Sequence, residues 1–138
     1  MTSPHLILNP DELAPPRGFS HTVISAAGTT VYLGGQAGHD GDGNIVSDDL
    51  VEQFDRAAAN VVSALSAAGG KPEHIVSMQV FTTAADDYRR STAALGSAYR
   101  RHFGKHYPAL SFFEVTALFD PAAKVELVCT AVIPEAPS

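Results

Sequence analysis

The last third of the chain carries two strand-like runs, near Ala109 to Ala117 and near Val125 to Ile133, and neither has a reliably polar face. In the first run, Leu110, Phe112, Glu114 and Thr116 fall on one side and Ser111, Phe113, Val115 and Ala117 on the other. In the second, Val125, Leu127, Cys129 and Ala131 alternate with Glu126, Val128, Thr130 and Val132. A sheet wetted on one side alternates cleanly between apolar and polar residues, so these strands call for cover on both faces. Elsewhere the sequence offers two helical stretches, enough for one face only. The other face is expected to lie against another subunit, a conclusion that does not fix how many subunits there are.

The helical stretches are well marked. Asp48 or Asp49 caps the first, with Glu52 at capping-box spacing from Asp49. Leu50, Phe54, Ala57, Val61 and Leu65 then recur at helical intervals until Gly69-Gly70 ends the run. Asp86 or Asp87 opens the second, which carries Tyr88, Thr92, Leu95, Tyr99 and Phe103 along one stripe and closes at Gly104. Ser20 to Ala26 and Thr29 to Gly34 read as strands joined in a hairpin by Ala27-Gly28, Ile75 to Thr82 as a third, and His5 to Leu8 as a short extra one. The order β-β-α-β-α-β-β predicts an α+β fold, a single mixed sheet with two helices packed on one face. One domain over residues 1–138, with a core of about 18–133, suits a chain of this length. The piece from Asn9 to Arg17 reads as an irregular lead-in and Pro134 to Ser138 as a frayed end.

Charge narrows the partners. The formal net charge is −6 with nine Lys and Arg and no basic run, so a phosphate backbone is repelled on average and no nucleic-acid partner is expected. Cys129 is the single cysteine, so no intrachain disulfide forms. No signal-like or membrane-length apolar stretch occurs, which predicts a cytoplasmic protein without a membrane partner.

Val31-Tyr32-Leu33-Gly34-Gly35-Gln36, Gln53 with Ala57 and Asn60, Tyr107-Pro108-Ala109-Leu110-Ser111 and Lys124-Val125-Glu126-Leu127 form an ordered set that resembles the reactive intermediate deaminase family (RidA/YjgF, endoribonuclease L-PSP-like). Val31 to Gln36 resembles its apolar strand ending in Ser-Gly-Gln, and Asp40 to Val46 its Gly-containing turn. Gln53, Ala57 and Asn60 resemble its Gln-x-x-x-(A/S)-x-x-N helix, and Ile75 to Phe81 its central strand. Tyr107-Pro108-Ala109-Leu110-Ser111 is similar to its (F/Y)-P-A-R-S element, and Lys124-Val125-Glu126-Leu127 to its closing V-E-I-E strand. The resemblance spans roughly Gly18 to Val132. It implies a chorismate-mutase-like fold, a homotrimer around a central β-barrel with sites between subunits, and hydrolysis of reactive imines or enamines with no metal or organic cofactor.

The resemblance also assigns residues. The family's arginine in P-A-R-S holds a substrate carboxylate; here that position is Leu110, which offers neither charge nor donor, and the nearest arginines belong to the preceding helix. Glu126 takes the place of the acidic residue that positions the attacking water, a task suited to a carboxylate base. The alternative for Glu126 is a barrel carboxylate satisfied by backbone donors. Phe19 stands where the family has a tyrosine, Gly34 where it has the serine of Ser-Gly-Gln, and Phe112 two places past the arginine. Gly35 keeps a small residue that lets backbone approach a ligand, and the neighbouring subunit's asparagine falls near Gly96. Phe19, Gly34, Gly35, Leu110 and Phe112 are thus the expected binding positions, in a pocket suited to an aromatic or alkyl group.

Other signals are weaker. Asp40-Gly41-Asp42-Gly43-Asn44 lacks the glycine and glutamate that a calcium loop needs, and reads as a turn. His39, His102 and His106 read as surface or packing residues, since Gly104 separates the last two and no metal-ligand spacing occurs. Cys129 reads as a buried structural thiol. Three functions follow from the whole: a hydrolase or deaminase acting on a small imine or enamine without a carboxylate anchor, a non-catalytic metabolite-binding trimer, and an endoribonuclease, which the acidic charge disfavours.

Overall fold

A computed structural model describes residues 3–136. A main sheet is built from β3 (Gly28–Tyr32), β4 (Gln36–Ala37), β5 (Ile75–Thr82), β6 (Ala109–Glu114) and β7 (Val125–Pro134). Its order is β3-β7-β5-β6, and β4 lies on the same edge of β7 as β3, further along. The β5–β6 pair is parallel and the others antiparallel, so the sheet is mixed. Three helices, α1 (Leu50–Ala67), α2 (Ala85–Arg90) and α3 (Thr92–Phe103), supply its cover.

The alternation along β7 decides which face they cover. Val125, Leu127, Cys129 and Ala131 are fully buried with Leu50, Phe54, Ala57, Val61 and Leu65 of α1. Burying these side chains is the main favourable term in folding. Glu126, Val128 and Thr130 point the other way and are only half-buried. By register, Tyr32, Ser77, Gln79, Phe81, Ser111 and Phe113 share that second face. Tyr32 is 82% exposed, and Phe113, stacked on Phe81 at 5.3 Å, is 43% exposed. This face carries no helix.

Local signals account for most element ends. Asp49 caps α1 by accepting from the Glu52 N–H at 2.9 Å, and Gly69 at φ 84° turns the chain out of it. Gly104 at φ 67° ends α3. Two expectations are corrected. The second helical stretch breaks at Ser91 into α2 and α3, because Ser91 leaves helical geometry (φ −109°, ψ 18°). Ala27-Gly28 is not a hairpin: β2 (Thr22–Ile24) pairs with β1 (Leu6–Leu8) in a separate ribbon, and β3 pairs with β7. Gly28 is pressed so closely on Ile133 that a side chain there would overlap its carbonyl. The expected frayed end is described only to residue 136, with Glu135 still bonded to the Ala27 carbonyl; Pro137 and Ser138 lie outside the described residues.

Two polar side chains of α1 fix the loops around β4. Gln53, fully buried, donates to the carbonyls of Ser47 and Ala122 and accepts from the Lys124 N–H. Asn60 donates to the carbonyls of Ala37 and His39. His106 is also buried, its Nε2 2.7 Å from the Ile75 carbonyl, while its own carbonyl accepts from Tyr99.

Gln53→Ala strands two carbonyls and one N–H in the interior, and is expected to cost about 3 kcal/mol in a urea titration; a loss below about 1 kcal/mol would show that these bonds are dispensable. Burial holds the His106 imidazole below its ordinary 6.5. Below that value the unfolded chain binds a proton that the folded one resists, so stability is complete above 6.5 and falls with further acidification. Melting temperatures from pH 7.5 to 5 should decline, and the slope should flatten in His106→Gln.

Candidate functional site

Leu110 and Phe112 of β6 lie opposite Met78 and Val80 of β5, on the helix-covered face. Phe19 reaches the same place because Ser20 is tied to the start of β6. Its N–H donates to the Pro108 carbonyl at 3.0 Å and its hydroxyl to the Tyr107 carbonyl at 2.6 Å. These three residues line a cleft of about 680 Å³ between β6 and helices α2 and α3. Phe54, Met78, Tyr88, Leu95 and Tyr99 complete its apolar floor. Tyr88 packs on Phe112 at 4.7 Å, and Tyr99 stacks on Tyr107 at 5.3 Å. Burial pushes the Tyr88 phenol up to about 12 and the Tyr99 phenol higher still, so neither is a base near neutrality.

Glu126 is elsewhere. It projects from the uncovered face, opposite Phe81 on one side and Ala37 on the other. Between β3 and β4 the segment Leu33–Gly34–Gly35 arches over it. A Cβ on Gly35 would come within 2.6 Å of Glu126 Oε2, so a side chain there would push the carboxylate aside. Gly34 is exposed, with open space where a side chain would stand. Among the described residues, the Glu126 carboxylate has no hydrogen-bond donor and no cationic partner within ion-pair distance. A half-buried carboxylate beside exposed backbone has its lone pairs free for water.

The expected site residues therefore form two groups with the sheet between them. Gly34, Gly35 and Glu126 belong to one face; Phe19, Leu110 and Phe112 belong to the cleft on the other. A separate polar hollow of about 260 Å³ lies at the sheet edge. Ser77, Gln79 and Ser111, which share Glu126's face, line it together with His21, Phe19 and Leu110.

The sequence reading missed three cleft residues, Arg17, Arg89 and Arg100, which lie at its rim. Thr92, Gly96 and Arg100 recur at intervals of four, so α3 presents them on one side. That spacing was legible in the sequence; the partner face was not. The Arg100 guanidinium lies along Gly96, 3.3 Å from where a Cβ would stand.

The remaining signals resolve into structure. Asp40 closes the turn by accepting from the N–H groups of Asp42, Gly43 and Asn44. His39 pairs with Asp120 at 3.0 Å and His102 with Asp55 at 2.7 Å. Cys129 is buried and its thiol is pushed up to about 12, which suits a packing role. Among the described residues no group of three or more His, Cys, Asp or Glu is gathered to hold a metal, and no helix is long and apolar enough to cross a membrane.

Residues 10–133 match the Endoribonuclease L-PSP family, and the chain belongs to it. It is 30% identical over 104 residues to the 2-iminobutanoate/2-iminopropanoate deaminase of Capra hircus, covering 75% of this chain and 72% of that protein. It is 31% identical over 127 residues to the RutC family protein UK114 of Drosophila melanogaster, covering 91% and 87%. Among solved structures, it is similar to the Rid family protein YyfB of Yersinia pestis, at 28% identity and a TM-score of 0.83, covering 94% of this chain and 98% of that one. The α+β architecture, a mixed sheet with helices on one face, is that of the family.

Proposed function

We propose that the chain is a cofactor-independent hydrolase of the deaminase type, acting on a small imine or enamine. The observation that carries this reading is the Glu126 carboxylate, half-buried on an open sheet face with no protein donor, beside the Gly35 backbone. The deaminase name of relatives at about 30% identity supports the same chemistry. A protonated imine is already electrophilic. It needs water whose proton is removed as the oxygen attacks, and Glu126 is the group placed to take it. Glu126 then returns the proton to the amino nitrogen, and ammonia leaves as the carbon–nitrogen bond of the tetrahedral adduct breaks and its hydroxyl, losing its proton to water, becomes the carbonyl.

The seat is completed when the open face is covered, and cover by copies of the same chain in a homotrimer fits its exposed Tyr32 and Phe113. Phe19 and Leu110 line both the cleft and the sheet-edge hollow, on the face of the sheet opposite Glu126, whereas Phe112 belongs to the cleft alone. Gly34 leaves room beside the Gly35 backbone. With Leu110 where a relative would place an arginine, the substrate needs no carboxylate at that point. A cytoplasmic setting suits a lone buried thiol.

The second reading is a trimer that binds a hydrophobic metabolite without turnover, and the apolar cleft remote from Glu126 favours it. Ribonuclease action has less support, because the net charge of −6 opposes a phosphate backbone.

Purified protein is to be assayed for ammonia release from a panel of imines generated in place, with a carboxylate by an amino-acid oxidase and without one by an amine oxidase. Glu126→Gln should lower the rate by about 100-fold or more, the scale of general-base catalysis. Gly35→Ala, which crowds the carboxylate, should lower it with little change in melting temperature. Release that persists in Glu126→Gln overturns the assignment of Glu126. Saturable ligand binding with no turnover of any imine favours the second reading.

A further inference from the structure

Only nine Lys and Arg are present in a chain of net charge −6, yet three of them, Arg17, Arg89 and Arg100, line the apolar cleft. No Asp or Glu lines it. Arg89 is engaged with Asp86 at 3.0 Å on the exposed side of α2. Among the described residues, Arg17 and Arg100 make neither an ion pair nor a side-chain hydrogen bond. Arg101, one residue further along α3, is by contrast paired with Asp55. The two unpaired guanidiniums come from separate elements, the lead-in before Gly18 and α3, and both are exposed residues lining the same cleft.

We propose that this cleft binds an organic carboxylate with an aromatic or branched apolar body, the body lying against Phe54, Tyr88, Tyr99, Leu110 and Phe112 and the acid group held at the mouth by Arg17 and Arg100. This deepens the reading of the cleft as a ligand seat and does not rest on hydrolysis by Glu126.

Three physical points carry it. The floor is hydrocarbon and aromatic, with phenols that stay protonated, so it accepts no charge. The rim supplies only positive charge, and a guanidinium at an opening next to low-dielectric walls acts on an anion more strongly than it would in open water. At Gly96 the absence of a side chain leaves space along α3 for the Arg100 guanidinium. The orientation is tail inward and acid outward. Leucine at position 110 fits this arrangement: it contacts the tail.

Isothermal titration calorimetry of the intact protein is to compare 4-phenylbutyrate, its neutral isostere 4-phenylbutan-1-ol, and butyrate. 4-Phenylbutyrate should bind at one site per chain, with the alcohol and butyrate each about tenfold weaker or more. Arg100→Met should weaken the acid by about tenfold and the alcohol by less than about threefold, and Arg17→Met should act the same way. Arg100→Lys should restore part of the loss, and Arg90→Met, an exposed arginine outside the cleft, should change nothing. Far-UV circular dichroism checks that each variant is folded. Equal affinity for acid and alcohol overturns the proposal, as does butyrate binding as tightly as 4-phenylbutyrate, binding unaffected by both arginine substitutions, or no binding of any compound. Glu126→Gln should still bind 4-phenylbutyrate. Thus failure of imine turnover with this binding intact removes the hydrolase reading and leaves the cleft assignment standing.

Discussion

Everything in this structure depends on the sheet being covered on one face only. β7 lies inside it, between β3 and β5, and its alternation sends Val125, Leu127, Cys129 and Ala131 under α1 while Glu126, Val128 and Thr130 look outward. Among the described residues the three α-helices all serve the other face. The outward face, with Tyr32, Phe81 and Phe113 among polar neighbours, is too apolar to be an ordinary wetted surface and too polar to be a core. An interface between chains of the same kind, as proposed above, would satisfy both halves of that description.

The sheet also acts as a partition. The Glu126 carboxylate stands on the open side, and an aromatic cleft stands on the covered side. Leu110 adds to a cleft floor that is hydrocarbon and aromatic. Positive charge is instead found at the mouth, on Arg17 and Arg100, where it remains hydrated until a ligand arrives and so carries no cost of burial.

Much of the fold was legible in the residues. Asp49 and Gly69 bracket α1 because a side-chain cap and a left-handed glycine are local devices that need no tertiary information. β5 occupies the span its β-branched run suggests, Ile75–Thr82. The failures share a cause, which is pairing at long range. Ala27-Gly28 has the composition of a hairpin, but its partners are Ile133 and Pro134, over 100 residues away. Ser91 breaks a helix whose apolar stripe runs on through it, and no glycine or proline marks the place. For the site, Glu126 and Gly35 were found through their motifs, and the structure brings them into contact. That Phe19 and Leu110 face away from Glu126 could be read only from the register of β5 with both its neighbours. Arg17 and Arg100 escaped notice because each is an ordinary surface arginine until the lead-in and α3 are set side by side.

The covered-face constraint is tested most directly by the mass of the protein in solution. Sedimentation equilibrium over a range of micromolar concentrations should return about three times the 14.5 kDa of one chain. A species of single-chain mass at all concentrations would contradict the account, because Glu126's face would then stand open to water with Tyr32 and Phe113 upon it.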